Sequence, residues 1–450
     1  MGALFGTDGI RGVAGEHPLD GDTVYRVGYC LTEYLQIDDS HPRIIVGRDT
    51  RISGPWLEAL LRRAIRDAGG SPDSCGVLST PAVALLTMRT HAQAGIMISA
   101  SHNPYQDNGI KVFSSSGMKF TDAVEGLLEQ RIASTGLKAP HELAHPETPS
   151  PVAILEDVPH YHDLYARFLI ECFSDLRLEK TKIVVDCAHG SLSLIAPGFL
   201  RNLGAEVISL HCEPDGRNIN LNAGALHMAK LQTEVVKNSA DLGIAFDGDA
   251  DRVMFVDRAG RIRDGDDALY VLARYMDFEQ APRIVVGTVM ANLGLEYALQ
   301  DLGIQLVRTS VGDRYVLEEM LRLGAVLGGE QSGHVILTRF ARTGDGLLTA
   351  LSVLRVLQNQ KSSLEELCRP LSRLPQILIN VRVREKVPFE DIPGLRDSEA
   401  AWKERLGPRS RILLRYSGTE RLARIMVEGE DEPTVRETAT SLAALFPLAK

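Results

Sequence analysis

Two short polar segments of this chain carry residue types that phosphate chemistry requires. The first is residues 99–104 (SASHNP), and it follows the apolar run Ala94–Ile98, which predicts a short buried strand. The second is residues 247–252 (DGDADR), in which carboxylates alternate with small residues. In extended chain such carboxylates share one face, and three of them suit Mg²⁺, which prefers oxygen ligands and leaves room for phosphate. A hydroxyl able to carry phosphate, together with a metal site, predicts phosphoryl transfer.

Each segment also has a competing interpretation. The aspartates could form a solvated acidic turn, and an EF-hand loop begins in the same way. That loop needs glycine at its sixth position and glutamate at its twelfth, where this chain has Arg252 and Arg258. A serine hydrolase would need glycines around its nucleophile, which Ser101 lacks, and the adjacent His102 is poorly placed as its base. A phosphoserine explains more, because His102 can pair with its phosphate and that phosphate can complete the metal site.

Further polar segments offer ligands for a phosphorylated substrate. Residues 415–420 (RYSGTE) combine hydroxyls, a flexible backbone and an arginine, which together suit a phosphate group. The loop at residues 328–334 (GGEQSGH) offers Glu330 and Ser332 to sugar hydroxyls, while Arg11 and Lys111 are isolated cations. Taken singly, these segments are equally consistent with polar turns and solvated surface charges.

The elements that position these segments alternate between strands and helices. Residues 43–46, 182–186 and 283–286 each predict a strand that is followed by a helix and by further strands. After the first of them, residues 55–68 predict a helix with one apolar face, consisting of Leu57, Leu60, Leu61, Ala64 and Ile65. Residues 190–203 and 313–323 also predict helices, and residues 325–327 predict a strand. This alternation indicates α/β layers.

The bulk properties exclude several classes of protein. A chain of 450 residues has room for about three domains of ordinary size. The formal net charge of -10 argues against a general nucleic-acid binder. Six scattered cysteines without a Cys-x-x-Cys pair argue against a zinc knuckle or a disulfide framework. No apolar run approaches the ~18 residues of a membrane span, and no signal peptide is recognisable, so we expect a cytoplasmic protein.

Taken together, the serine, metal, sugar and phosphate segments resemble the α-D-phosphohexomutase superfamily in content and in order, over essentially the whole chain. The resemblance implies an α/β fold of four domains: three related α/β domains with mixed sheets and a C-terminal α+β domain of TBP-like type. We expect these domains at residues 1–150, 151–256, 257–370 and 371–450. A linker rich in proline, histidine, glutamate and serine is predicted at residues 134–151.

Four segments narrow the resemblance to members that interconvert glucosamine 6-phosphate and glucosamine 1-phosphate. They are residues 5–12 (FGTDGIRG), 311–316 (VGDRYV), 330–334 (EQSGH) and 343–346 (TGDG). The implied reaction runs through a phosphoserine and a hexosamine 1,6-bisphosphate, which is both intermediate and primer. The alternatives are a mutase for glucose or mannose phosphates, a phosphosugar-binding protein without catalytic activity, and a metal-dependent phosphatase. The implied binding partner is a phosphorylated hexosamine, and we expect neither a nucleic acid nor a membrane as a partner. Whether the protein forms a homodimer is left open.

The resemblance also assigns roles to individual residues. The Mg²⁺ ligands would be phosphorylated Ser101, Asp247, Asp249 and Asp251. The sugar would be contacted by Glu330 and Ser332. The non-reacting phosphate would be bound by Arg415, Ser417, Gly418, Thr419 and Arg424. The reacting centre would be lined by Arg11, His102, Lys111, Arg252 and His334, with Lys111 and His334 as candidate proton carriers. The phosphate segment departs from the family pattern at Tyr416, Arg421 and Ala423. These departures affect the expected fine preference among substrates and not the expected class of reaction.

Overall fold

Four β-sheets organise the chain, and helices pack on each of them. The computed structural model of the protein describes residues 4–6, 8–143, 158–417 and 421–447. By their contacts, the residues up to Val289 form one compact unit together with Val307–Cys368. Met290–Leu306 and the residues from Arg369 onward form a second unit.

The first sheet mixes parallel and antiparallel strands in the order β1-β5-β4-β2-β3. Its strands are β1 (Ile10–Val13), β2 (Arg43–Arg48), β3 (Ser71–Val77), β4 (Ala94–Ile98) and β5 (Asp107–Ser114). Its helices are α1 (Gly21–Leu35), α2 (Gly54–Asp67), α3 (Thr80–Arg89) and α4 (Asp122–Ser134). Strand β2 pairs in parallel with β3 and β4, whereas β5 runs antiparallel to β4 and β1. The five apolar residues predicted for one face of α2 are fully buried, so this helix covers the sheet as expected.

The second sheet repeats this pattern in the order β10-β9-β8-β6-β7. Its strands are β6 (Lys182–Asp186), β7 (Glu206–Leu210), β8 (Leu242–Phe246), β9 (Val253–Asp257) and β10 (Ile262–Arg263). Its helices are α6 (Ala196–Asn202) and α7 (Ala229–Lys237), while α5 (Pro159–Cys172), which precedes this sheet in the chain, packs against α3. The continuous helix predicted for residues 190–203 is wrong, because a 3-10 turn at Ser191–Leu194 precedes α6. Pro197 explains the break, since its ring and its missing N–H exclude it from a helix interior.

The third sheet has the order β12-β11-β13-β14. Its strands are β11 (Ile284–Thr288), β12 (Gln305–Thr309), β13 (Leu327–Gly329) and β14 (Val335–Leu337). Its helices are α8 (Gly265–Tyr275), α10 (Asp313–Leu323), α11 (Gly346–Gln360) and α12 (Leu364–Cys368), while α9 (Leu293–Gln300), which follows β11 in the chain, belongs to the second unit. Strand β13 lies two residues beyond the predicted strand 325–327. Its glycines permit close packing, because a Cβ on Gly328 would lie 2.5 Å from Met320 Sδ.

The fourth sheet is antiparallel, in the order β15-β17-β16, and belongs to the second unit. Its strands are β15 (Gln376–Arg382), β16 (Arg411–Tyr416) and β17 (Leu422–Glu428), with helices α13 (Leu395–Leu406) and α14 (Glu432–Ala443). The predicted α/β class with mixed sheets is therefore confirmed. The residue boundaries proposed for the domains stay a prediction, and part of the predicted linker, residues 144–151, lies outside the described residues. Among the helices that the structure describes, none is long and apolar enough to cross a membrane.

Candidate active site

Ser101 lies in a turn directly beyond the end of β4, and its side chain is buried. Its backbone φ is 52°, a left-handed conformation that non-glycine residues adopt only where surrounding contacts enforce it. The Ser101 hydroxyl donates a hydrogen bond of 2.6 Å to Oδ2 of Asp247, which follows β8 of the second sheet. The structure therefore brings residues 99–104 and residues 247–252 into direct contact.

The three aspartates of the second segment lie close together and are buried. One oxygen from each of Asp247, Asp249 and Asp251 lies within 4.8 Å of the others. The backbone of this segment curls at its small residues into a turn, with Ala250 at a φ of 58°. The turn makes the carboxylates converge, which alternation along a strand would not achieve on its own.

The hydrogen bonds at these carboxylates leave oxygens suited to a divalent cation. Asp247 accepts from the Ser101 hydroxyl and from the backbone N–H of Arg252, the latter at 3.2 Å. Oδ2 of Asp249 accepts from the Thr80 hydroxyl and from Lys111. Asp249 Oδ1 and Asp251 Oδ1 are buried and have no hydrogen-bond partner among the described residues. Buried carboxylate oxygens without a donor are unfavourable, and this set of oxygen atoms fits a hard metal ion.

The pKa of Asp247 shows the same excess of negative charge. Burial, together with the neighbouring Asp251 and Asp249 carboxylates, raises this pKa to about 8. Like charges confined in a buried space disfavour ionisation of each other. A cation at this position would remove that penalty, so the electrostatics and the geometry agree that these residues fit a metal ion.

Lys111, on β5, supplies a buried positive charge to the aspartates. Its Nζ atom lies 2.7 Å from Asp249 Oδ2 and 3.4 Å from Asp251 Oδ2. Burial alone would lower the pKa of Lys111, but the two carboxylates outweigh burial and raise it above its usual value. Lys111 therefore keeps its proton near neutral pH, and its contacts fit a charge-stabilising role better than that of a base.

Two arginines and a histidine complete the surroundings of Ser101. Arg252 Nε lies 3.8 Å from Asp251 Oδ1, and Arg11 donates a hydrogen bond of 3.4 Å to the carbonyl of Ala100. His102 Nδ1 lies 3.4 Å from Ser101 Oγ. Burial, together with the charges of Arg252 and Arg11, lowers the pKa of His102 to about 4, so its imidazole is neutral at physiological pH.

His334 connects the predicted sugar loop to the aspartates. Its Nδ1 lies 3.8 Å from Asp251 Oδ2, and its Nε2 accepts a hydrogen bond of 3.0 Å from the N–H of Gly344. An Nε2 atom that accepts from a backbone N–H places the ring proton on Nδ1, facing Asp251. Burial opposes protonation of this imidazole, but Asp251 and Asp313 outweigh it and raise its pKa. Both ring nitrogens are occupied, so His334 is well placed to orient Asp251.

Glu330 and Ser332 lie in the same loop, between β13 and β14. The Glu330 carboxylate accepts a hydrogen bond of 3.0 Å from the N–H of Gly312, while Ser332 is exposed. Gly312 has a φ of 137° and immediately precedes α10. The segments VGDRYV and EQSGH, which are separate in the sequence, therefore touch in the structure.

The predicted phosphate ligands lie in the second unit. Arg415 and Arg424 are cross-strand neighbours on β16 and β17, and burial together with Arg424 lowers the pKa of Arg415. Ser417 is buried, and its N–H donates to the carbonyl of Leu422 at 2.8 Å. Lys386 Nζ, a cation that the sequence analysis missed, donates to the carbonyl of Ser417 at 2.6 Å. Gly418 and Thr419 lie outside the described residues.

The departures from the family pattern in this segment have local contacts of their own. Tyr416 stacks on Phe389 with ring centroids 4.7 Å apart, and its hydroxyl donates to the carbonyl of Val387. Ala423 is fully buried on β17, and Arg421 donates to the carbonyl of Arg384. Tyr416 and Ala423 therefore belong to the packing of the fourth sheet.

Comparison with known proteins decides the family. Consecutive parts of the chain match the phosphoglucomutase/phosphomannomutase family: alpha/beta/alpha domains I, II and III match residues 2–138, 161–260 and 264–374, and the C-terminal domain matches 378–445. A protein of Solibacter usitatus named phosphoglucosamine mutase is 46% identical, over 98% of this chain and 97% of the relative. The chain belongs to the phosphoglucomutase/phosphomannomutase family.

Solved structures of phosphohexomutases share this fold. A phosphoglucomutase/phosphomannomutase family protein from Burkholderia thailandensis superposes with a TM-score of 0.79 at 22% identity, covering 98% of this chain and 96% of that protein. An N-acetylphosphoglucosamine mutase from Aspergillus fumigatus, solved with GlcNAc-6P and magnesium, superposes with a TM-score of 0.64 at 18% identity, covering 98% and 95%. At these identities the likeness establishes the fold, and the predicted four-domain architecture is confirmed.

Several residues around Ser101 were not predicted from the sequence. Thr80, Asp49, Arg51 and Asn220 all contact either the serine loop or Asp249. A usable signal exists for two of them. Asp49 and Arg51 directly follow β2, which is parallel to β4, and ligand sites of α/β sheets lie at the carboxyl ends of such strands. Asn220 lies in a long connection after β7 and carries no comparable signal.

Proposed function

We propose that this chain interconverts glucosamine 6-phosphate and glucosamine 1-phosphate. The proposal is supported by the 46% identity to a named phosphoglucosamine mutase over nearly the whole length of both chains. The observation that carries it is the contact of Ser101 Oγ with Asp247, one of three clustered, buried carboxylates. A serine held against such a cluster is suited to carry the phosphoryl group that the reaction moves.

The proposed reaction consists of two phosphoryl transfers. In the first, phosphorylated Ser101 donates its phosphoryl group to the free O1 or O6 of the sugar. The bond from phosphorus to the serine oxygen breaks, a bond to the sugar oxygen forms, and the hydroxyl proton of the sugar ends on the serine oxygen. The resulting 1,6-bisphosphate then returns its other phosphoryl group to Ser101. No phosphate is gained or lost, and a bisphosphate primes any enzyme that is not yet phosphorylated.

The cation would be Mg²⁺, held by Asp247, Asp249, Asp251 and the phosphate on Ser101. When bound, Mg²⁺ neutralises negative charge on the phosphoryl group. Lys111, protonated beside Asp249 and Asp251, adds a second fixed positive charge at the same place. Preorganised charge of this kind is the main contribution a protein makes to phosphoryl transfer.

The remaining residues would bind the substrate and complete the reacting centre. Glu330 and Ser332 would contact the sugar hydroxyls, and His334 would keep Asp251 in place. The non-reacting phosphate would be bound by Arg415, Ser417, Gly418, Thr419 and Arg424. The reacting phosphoryl group would be flanked by Arg11, His102 and Arg252. The substrate is a small phosphorylated hexosamine, and we place the protein in the cytoplasm.

The test is turnover of glucosamine 6-phosphate with Mg²⁺ and a glucose 1,6-bisphosphate primer, measured beside glucose 1-phosphate and mannose 1-phosphate. We expect the highest kcat/KM with the glucosamine substrate. A higher value with glucose or mannose phosphate would make the chain a mutase for those sugars. Net release of inorganic phosphate would instead indicate a phosphatase, and binding without turnover would indicate a protein that only binds phosphosugars.

A further inference from the structure

Two buried side chains hold the loop of Ser101 from opposite sheets. Arg51 follows β2 of the first sheet, and one terminal nitrogen of its guanidinium donates to the carbonyls of Ser101 and Asn103, each at 2.9 Å. Asn220 follows β7 of the second sheet, and its side-chain NH₂ donates to the same two carbonyls at 2.8 and 3.0 Å. Two donors, 50 and 119 residues away from Ser101, therefore meet at one carbonyl oxygen.

Arg51 makes more contacts with this loop than any smaller cation could. Its other terminal nitrogen donates to the carbonyls of Pro104 and Asp107, so the guanidinium bonds four backbone oxygens. Its Nε donates to Asp49 Oδ2 at 2.9 Å, which neutralises the buried charge. A planar guanidinium presents five donors in a rigid fork, whereas a lysine offers only three donors at one point.

The same ion pair also reaches the amide nitrogen of Ser101. Asp49 Oδ2 accepts a hydrogen bond of 2.6 Å from the Ser99 hydroxyl, and Ser99 Oγ in turn accepts from the Ser101 N–H at 2.9 Å. The N–H and the carbonyl of Ser101 are thus both held by side chains that belong to one connected network. This explains how Ser101 is kept in its left-handed conformation, which is otherwise unfavourable.

Arg51 and Asn220, with the carbonyls that they bind, form a clamp on the serine loop. The segment of the three aspartates packs against this clamp. A Cβ on Gly248 would lie 2.7 Å from the Ser101 carbonyl oxygen and 2.9 Å from the Asn220 side-chain nitrogen. Asn220 is itself held by a hydrogen bond of 2.9 Å from its N–H to the carbonyl of Ala188. The clamp therefore sets the position of Ser101 relative to the residues on both sides of Gly248, Asp247 and Asp249.

We propose that Arg51 and Asn220 are positioning residues for phosphoryl transfer at Ser101, an inference that rests on the function proposed above. Their contacts are to the backbone of the serine loop, so they orient the serine oxygen toward Asp247. Misplacement of a reacting group by about 1 Å lowers rates by about 100-fold. We therefore expect their loss to lower kcat by about that factor while KM for the sugar phosphate changes by less than about threefold.

Asn220→Asp tests the clamp with almost no change in side-chain shape. The variant replaces the NH₂ donor by a carboxylate oxygen, which repels the carbonyls of Ser101 and Asn103. The matched control is Asn222→Asp, because Asn222 is also left-handed, with a φ of 51°, but is exposed. We expect the loss of kcat in the first variant and wild-type kcat in the second.

Arg51 needs a separate test, because a variant of a buried ion pair can fail for lack of stability. Arg51→Ala should recover part of its kcat when guanidinium ion is added at low concentration, and not when the same concentration of sodium chloride is added. Arg48→Lys is the control for a conservative change at an equally buried arginine, which pairs with Glu58 at 2.9 Å instead. We expect it to lower Tm without lowering kcat.

Hydrogen exchange of the peptide covering residues 99–107 gives a readout that is independent of turnover. We expect about tenfold faster exchange there in Asn220→Asp and in Arg51→Lys than in the wild type and the Asn222→Asp control. Unchanged exchange, or wild-type kcat in both clamp variants, would overturn the inference. If the wild type turns over none of the sugar phosphates, the proposed function is refuted. If the variants nevertheless lose protection of residues 99–107, the structural role of Arg51 and Asn220 still holds.

Discussion

The Ser101 hydroxyl and the Asp247 carboxylate are 146 residues apart in the chain and 2.6 Å apart in the structure. The serine follows β4 of the first sheet, and the aspartate follows β8 of the second. These two strands occupy equivalent places in sheets of the same topology, since each pairs with one parallel strand that in turn pairs with a second. The candidate active site therefore forms where two structurally similar domains present the same sheet edge to each other.

Ser101→Ala should abolish turnover. Without the hydroxyl no phosphoenzyme can form, and we expect kcat to fall by at least about 1000-fold with Tm almost unchanged, because only one oxygen atom is removed. Phosphate on wild-type Ser101, detected by peptide mass spectrometry after incubation with glucose 1,6-bisphosphate, is the direct measurement. The exposed Ser115→Ala serves as control, and retained turnover in Ser101→Ala would contradict the proposed mechanism.

Asp249→Asn should remove most of the metal-dependent activity. Asp249 contributes one of the three clustered oxygens, and its Oδ1 atom has no other partner among the described residues. We expect activity to fall by about 100-fold or more, and the Mg²⁺ concentration that gives half-maximal activity to rise. In the wild type, EDTA should abolish activity and added Mg²⁺ should restore it. Activity that is indifferent to EDTA would refute the metal site.

Lys111→Gln should lower kcat by about 100-fold, whereas Lys111→Arg should retain more activity, because the charge is what matters. The pKa of Lys111 is raised by Asp249 and Asp251 despite burial, so the side chain stays protonated near neutral pH. Its titration therefore should not appear in the pH profile of the wild-type enzyme between about pH 6 and 9. If the glutamine variant were to lose an ionisation seen in the wild type in this range, Lys111 would be the base instead.

Asp345→Asn should remove one source of pH-dependent stability. Burial raises the pKa of Asp345 from 3.8 to about 6, although Tyr165 and the Leu348 N–H donate hydrogen bonds to it. Between these values the folded protein keeps a proton that the unfolded chain has released, so stability falls as pH rises through the window. The full effect is about 3 kcal/mol.

Calorimetry of both proteins between about pH 4 and 7 measures this contribution. We expect Tm of the Asp345→Asn variant to rise relative to the wild type as pH increases, because the introduced amide cannot ionise but still offers an acceptor to α11. Other titrating groups cancel in the comparison. A constant difference in Tm across this range would show that Asp345 does not titrate in it.

The sequence alone specified the elements whose patterns are local. Strands β4 and β6 and helix α10 lie at the predicted residues, because apolar periodicity and the flanking glycines act over a few neighbouring positions. Ser101 and the aspartates could be singled out for the same reason, since each motif is contiguous. Predictions failed where a local pattern was weak, as in β13, which ends in two glycines, or was interrupted, as at Pro197.

Only the tertiary structure decided which of these residues act together. Arg51 and Asn220 bind backbone carbonyls of the serine loop, and a backbone carbonyl has no signature in a sequence. The turn of the three aspartates also receives hydrogen bonds from distant segments, since the N–H of Thr80 donates to the carbonyl of Asp249 and the N–H of Gly346 to that of Ala250. The sequence gives the type of each side chain directly. The orientation of that side chain depends on hydrogen bonds between distant segments, which form only after the domains have packed.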